Sequence, residues 1–144
     1  MNSKRVVVGV TGASGAPYTV RVVQLLTGAG VEVHLTVSKM GRRLLFEESN
    51  ITTLCAEAFD VDEQLLVIHN DKDLGSSIAS GTFLHDGMII VPCSSNSVGA
   101  IASGITNTLV QRAASVTLKE RRTLVVAHRE TPLSHIDVEN IATL

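Results

Sequence analysis

Apolar residues fall along this chain in two alternating patterns: short unbroken runs, and longer stretches with helical spacing. Arg5–Val10 is a continuous β-branched run, as expected for a strand buried on both faces. Thr11-Gly12-Ala13-Ser14-Gly15-Ala16 follows as a turn of small residues. Pro17–Leu26 then sets Val20, Val23 and Leu26 at helical spacing, and Gly28 and Gly30 close that helix. Val31–Val37 reads as a second strand. Lys39–Glu48 reads as a second helix, with Leu44 and Leu45 on a different face from Arg42 and Arg43. Ile51–Phe59 shows no clear period, and Leu65–His69 reads as a short strand. Gly87–Val91 is a strong buried strand ending at Pro92. Asn96–Leu118 has helical character broken near Gly104, and Thr123–Ala127 is another buried strand. Ser134–Leu144 reads as a final helix, with Ser134 as its N-cap and Asp137 in its first turn.

Strands and helices that alternate in this way predict a single α/β domain. The expected architecture is a Rossmann-like (flavodoxin-like) parallel sheet with helices on both faces. Ligands of such sheets sit at the carboxyl ends of the strands. Three segments rich in small or polar residues fall there: Gly12–Gly15, Cys93–Ser97 and His128–Glu130. Ser38 follows a fourth strand. Their shared position predicts one binding site.

Composition narrows the function classes. The chain has 144 residues, enough for one domain with a real core. It is 44% hydrophobic but only 3% aromatic, so that core is aliphatic. A net charge of −2 provides no strong global field for nucleic acid or an acidic membrane. The apolar run after Arg5 is too short for a signal peptide or a spanning helix. Two cysteines, Cys55 and Cys93, make no disulfide framework, which suits a reducing cytoplasm. Five histidines show no metal-ligand spacing, so no metal site is expected, and a Walker phosphate loop is absent.

Each motif has a plain reading beside a chemical one. Gly12–Ala16 lets backbone N–H groups approach an anion or a flat ring at a helix N-terminus, or is simply a tight turn. Ser38 caps the second helix, binds phosphate, or does both. Pro92-Cys93-Ser94-Ser95-Asn96-Ser97 holds more small polar residues than a cap needs, which favours binding. Cys93 reads as a buried filler. Arg112, Lys119, Glu120, Arg121 and Arg122 read first as a solvated, dipole-compatible helix end. Arg129 offers a planar fork for phosphate and Glu130 a proton carrier, with a surface ion pair as the plain alternative.

The segments Val8–Ala16, Val37-Ser38-Lys39, Ser80–Phe83, Gly87–Ser94, Gln111–Arg122 and Arg129–Leu133 together resemble the UbiX-like flavin prenyltransferases. The resemblance covers nearly the whole chain. It implies FMN as cofactor, held by Gly12, Ala13, Ser14, Ser38, Ser94, Ser95, Asn96, Ser97 and Arg129. It implies transfer of a dimethylallyl group from dimethylallyl phosphate to N5 and C6 of reduced FMN, without a metal. Lys119 and Arg129 match residues that grip the substrate phosphate, and Arg112 a neighbouring basic position. Glu48 and Glu130 match proton-handling acids, with Ser14 as relay partner of Glu48. The family assembles as a dodecamer, and its prenylated FMN serves a UbiD-like decarboxylase.

Three features depart from that family's pattern. Ser95-Asn96-Ser97 replaces Met-Lys-Thr or Met-Gly-Thr and leans toward the related cysteine decarboxylases. Those enzymes require a histidine after the first strand–turn unit, and none lies between Arg5 and Val33. Ile105-Thr106-Asn107 replaces isoleucine followed by Ala-Asp-Asn. The family also continues past the position of Leu144, with a strand and a Pro-rich segment carrying a Tyr and a basic residue. Residues 1–144 are therefore expected to be the FMN-binding domain without that segment. The alternative to an enzyme is an FMN-binding core, or a decarboxylase-associated subunit, without prenyl transfer.

Overall fold

The unbroken β-branched runs become the middle of a sheet. In the structure, a computed structural model that describes residues 3–144, β1 (Arg5–Val10), β2 (Glu32–Val37), β3 (Leu66–His69), β4 (Gly87–Cys93) and β5 (Thr123–His128) pair in parallel. Their order is β3-β2-β1-β4-β5. This is the Rossmann arrangement rather than the flavodoxin order that starts 2-1-3.

Period-two alternation assigns the core. Val8 and Val10 of β1, with Val33, Leu35 and Val37 of β2, face α1 (Ala16–Gly28), α2 (Lys39–Ser49) and the single-turn α3 (Ala56–Phe59). Val7, Met88 and Ile90 face the other way, onto α4 (Ser95–Ala102) and α5 (Leu109–Lys119). Full burial of each such side chain contributes about 1.5–3 kcal/mol, so both layers are held mainly by β-branched and leucine side chains. The last helix, α6 (His135–Thr143), rests on α4 and buries no residue of its own.

Three expected boundaries shift for local reasons. β4 runs through Pro92, because Cys93 still pairs with His128 after an irregularity in register. The long helical stretch becomes two helices: Gly104 takes φ 72°, and Thr108 with Gln111 forms a capping box that starts α5. The unassigned stretch from Ile51 contains α3, whose Phe59 is fully buried. The final helix begins as expected, with Ser134 and Asp137 exchanging both capping bonds.

Helix α5 runs from the carboxyl end of the sheet to its opposite edge. Its first N–H groups meet Asp71, just after β3, and its last residue precedes the start of β5. At 1.5 Å per residue, that separates its two ends by about 15 Å.

Candidate functional site

The chain leaves β1 toward β2 on one side and returns to β4 on the other, so the loops after β1 and β4 part at a crevice. Side chains and backbone sew these loops together. Thr11 donates its hydroxyl to the Pro92 carbonyl at 3.0 Å and accepts from the Ser94 N–H at 2.8 Å. The Ser38 N–H bonds the Val10 carbonyl at 2.9 Å, which fixes the start of α2 beside the same loop. Gly12 is required at this junction: a Cβ there would lie 2.5 Å from Met40 Cβ.

Two helix N-termini therefore converge on one cleft. The Ser38 hydroxyl accepts from the Gly41 N–H at 3.1 Å, and the Ser94 hydroxyl from the Ser97 N–H at 3.2 Å. Each cap satisfies one donor and leaves the earlier N–H groups of the first turn for a ligand. With the helix dipoles these donors favour an anion. The cleft has a volume of about 620 Å³. Its walls are Gly12 and Thr11, the α2 start with Lys39 and Met40, the α4 start with Asn96 and Ser97, and the α5 start from Asn107 to Gln111. Asp71 and Lys72 close one side. A smaller depression of about 270 Å³ lies at the amino ends of the strands, beside Arg5 and His85, where parallel sheets do not bind ligands.

Not every residue singled out in the sequence reaches this cleft. Gly12, Ser38, Ser94, Asn96 and Ser97 line it. Ala13 is buried in the loop beside it. Ser14 turns instead to Glu48, whose carboxylate accepts the Ser14 hydroxyl at 2.9 Å and faces the Gly15 N–H at 3.3 Å. Ser95 turns to His128, with 2.8 Å between its hydroxyl and Nε2. Arg129 is exposed, and its N–H bonds the Cys93 carbonyl at 3.1 Å, which seats it beside the Ser94 turn; Glu130 is exposed next to it. Arg112 and Lys119 stand apart from the cleft of their own chain. Arg112 donates its Nε–H to the Ala79 carbonyl at 3.3 Å. Lys119 lies at the far end of α5, exposed, 3.7 Å from Glu120. Arg122 staples the preceding loop through the Phe83 and Gly81 carbonyls at 2.9 and 2.8 Å.

Burial pushes the Cys93 thiol up to about 12, so it is protonated and inert at neutral pH, in keeping with a filler. Sequence reasoning passed over Thr11, Asp71 and the Asn107–Gln111 wall. The Thr108-x-x-Gln111 capping box was a readable signal for that wall. Asp71 had none, because its role depends on where a loop lands against α5.

The fold and cleft define an α/β protein built to hold a phosphate-bearing ligand at a topological switch point. The chain belongs to the Flavoprotein family, which matches residues 1–144, and within it to the UbiX-like flavin prenyltransferases. It is 44% identical over 144 residues to the flavin prenyltransferase UbiX of Thermoplasma acidophilum, covering 97% of this chain and 74% of that one. It superposes with a TM-score of 0.88 and 39% identity on AnUbiX, solved in complex with FMN and dimethylallyl pyrophosphate, covering 99% of this chain and 73% of that one. A dodecameric FMN-dependent UbiX-like decarboxylase from Escherichia coli O157:H7 gives a TM-score of 0.86 at 40% identity, covering 96% and 74%. The chain spans only 56% of the mitochondrial flavin prenyltransferase of Saccharomyces cerevisiae. Among the described residues no helix is long and apolar enough to cross a membrane.

Proposed function

We propose that residues 1–144 form an FMN-binding domain acting as a flavin prenyltransferase, which joins a dimethylallyl group to N5 and C6 of reduced FMN. The observation that carries this reading is the convergence of the α2 and α4 N-termini on one cleft, capped by Ser38 and Ser94. Its volume falls within the range of about 300–1,000 Å³ usual for such ligands. Ser38 and the N–H groups behind it suit the flavin phosphate. Asn96, Asn107 and Gln111 offer amide groups to the polar edge of the ring or to the ribityl hydroxyls.

Bound reduced FMN supplies the nucleophilic N5 and C6 and a π-rich face for an allylic cation. The protein's residues handle charge and protons. The phosphate leaving an allylic carbon is dianionic, and Arg129 and Lys119 offset that charge. Glu130, beside Arg129, protonates the departing phosphate. Ser14, two residues beyond the cleft-lining Gly12, and Glu48, already hydrogen-bonded to it, take up the proton lost from C6.

Lys119 and Arg112 stand away from the cleft of their own chain, so their service to substrate phosphate comes from a neighbouring copy. Exposed Tyr18, Leu25 and Phe46 on α1 and α2, and Ile136 and Val138 on α6, give apolar surface for such contacts. The dodecameric relative supports that assembly. The product serves a UbiD-like decarboxylase, and the working compartment is the cytoplasm.

The test is anaerobic incubation with reduced FMN and either dimethylallyl phosphate or the pyrophosphate, with EDTA present, followed by mass spectrometry. The prenylated flavin mass is expected. FMN retention without that mass favours the second reading, an FMN-binding core without transfer, which the distance of Lys119 from its own cleft also suits. A folded protein that takes up no FMN overturns both.

A further inference from the structure

On the side of the sheet where β1 and β4 are aliphatic, β2 and β3 carry three polar side chains beside Val67. These are His34, Thr36 and His69, and none of them has a part in the chemistry above. Four side chains form a continuous chain there. Glu32 Oε1 lies 2.6 Å from His34 Nε2, His34 Nδ1 lies 2.8 Å from His69 Nε2, and His69 Nδ1 lies 2.6 Å from the Ser76 hydroxyl. His34 is buried, with 6% side-chain exposure, and packs edge-on against Phe83.

The donors and acceptors admit few proton counts. A carboxylate only accepts, so His34 carries its hydrogen on Nε2 and accepts at Nδ1. His69 must then donate from Nε2 and accept at Nδ1 from Ser76. With both rings neutral every atom is matched. One added proton on His69 Nδ1 reverses only the bond to Ser76. A second would set N–H against N–H across 2.8 Å and break the chain.

This chain reaches the cleft through one loop. Ser76 ends the segment that follows His69, and that segment carries Asp71 and Lys72 into the cleft wall. Asp71 meets the start of α5 twice: its carbonyl accepts from the Leu109 N–H at 2.8 Å and its carboxylate from the Val110 N–H at 3.0 Å. The Thr36 hydroxyl lies 3.5 Å from the same carboxylate oxygen.

We propose that His34 and His69 are positioning residues of the cleft, which hold the 70–76 loop, and through Asp71 the start of α5, only while the two rings together carry at most one proton beyond their neutral forms. The ligand in this proposal rests on the flavin reading above; the clamp does not. Charges around the pair act in both directions. Burial and His34 push the His69 pKa down, while Asp73 opposes them. Glu32 contacts His34 directly, and Arg5 Nε lies 3.2 Å from the same Glu32 oxygen without hydrogen-bond alignment. On the other side His85, itself lowered by burial, faces the pair across Phe83, with Arg122 beyond it.

The test follows the full chain from pH 8 to 5 with 15N-histidine spectra, amide exchange at Leu109 and Val110, and FMN titration of the wild type, His69→Gln and Ser76→Ala. The spectra should show hydrogen on Nε2 of both rings near pH 8. Exchange at Leu109 and Val110, corrected for intrinsic rate, should accelerate as the second proton enters on acidification. FMN affinity should fall with acid more steeply in the wild type than in His69→Gln, by up to about tenfold per pH unit for one proton. The titration of the FMN phosphate is common to both proteins and cancels. Ser76→Ala removes only the last link; it should raise exchange at Val110 already at pH 7.5, and it carries the test if His69→Gln does not fold. Two rings that both protonate while exchange at Leu109 and Val110 stays constant overturn the proposal. So does a parallel pH slope in wild type and variant. If no protein binds FMN at any pH, the flavin reading fails and exchange alone decides the clamp.

Discussion

Glu48, in the last turn of α2, accepts the Ser14 hydroxyl at 2.9 Å, although 34 residues separate them. The same carboxylate faces the Gly15 N–H, at a residue whose φ of 138° few side chains tolerate. A base and a hydroxyl are thus joined at the entrance of α1. Glu48→Gln keeps an acceptor there but removes the base. Prenyl transfer should drop by ~10²–10⁴ while FMN affinity changes less than about threefold. Single-turnover rates beside flavin titrations check this, and a full rate in the variant removes Glu48 from the mechanism.

Ser38→Asp should weaken FMN binding strongly and riboflavin binding little. Aspartate still caps α2 but sets a negative charge where the flavin phosphate is proposed to sit. A loss of at least about tenfold in FMN affinity is expected. Equal effects on FMN and riboflavin would place the phosphate elsewhere.

The two cysteines should differ sharply toward a thiol reagent at pH 8. Cys93 is buried with its thiol pushed up to about 12, whereas Cys55 is half-buried. Native protein should react at Cys55 alone, and at both sites once unfolded. Rapid native labelling of Cys93 would contradict its role as filler.

Stability should fall as the solution is acidified through the histidine range. Burial lowers the His69 and His85 pKa values below their ordinary 6.5. In that window the unfolded chain binds more protons than the native one, so stability rises with pH up to about 6.5 and is lost on acidification until both states are protonated. Asp137 acts lower down: bonds from the Ser134 backbone and from the Ser95 and Ser134 hydroxyls depress its pKa. Its contribution is present above 3.8 and lost as pH falls through the depressed value. Urea midpoints followed from pH 8 down to about pH 2 should show both steps, and His69→Gln should reduce the upper one.

Gly12→Ala should destabilise the junction of β1 and α2 by about 1–3 kcal/mol, because the added methyl meets Met40 Cβ rather than a flexible side-chain end. Gly12→Ala should cost less in a Met40→Gly background, which removes the Cβ that the added methyl meets. An undisturbed melting temperature in Gly12→Ala would mean that the loop yields freely.

Local pattern determined most of the architecture. The β-branched run at Arg5–Val10 reads directly as a buried strand, Ser134 with Asp137 as the opening of a helix, and small-residue turns mark the ends of β1 and β4. These signals lie within a few residues, where backbone propensity and capping act. The family was legible for a similar reason, since its segments are contiguous. Tertiary structure decided what spans distance. Whether the order is Rossmann or flavodoxin depends on which strand edges pair, and no single segment encodes it. Ser14 was expected among the FMN ligands and as the partner of Glu48; the fold bonds it to Glu48 and bonds Ser95 to His128, so neither forms part of the cleft wall. The same folding lands Asp71 on α5 and joins His34 to His69. Lys119 and Arg112 sit in the most family-specific stretch of the sequence, yet α5 carries Lys119 about 15 Å from the cleft end of that helix. A side chain's neighbours are set by the packing of elements distant in sequence, and that packing is a property of the whole core.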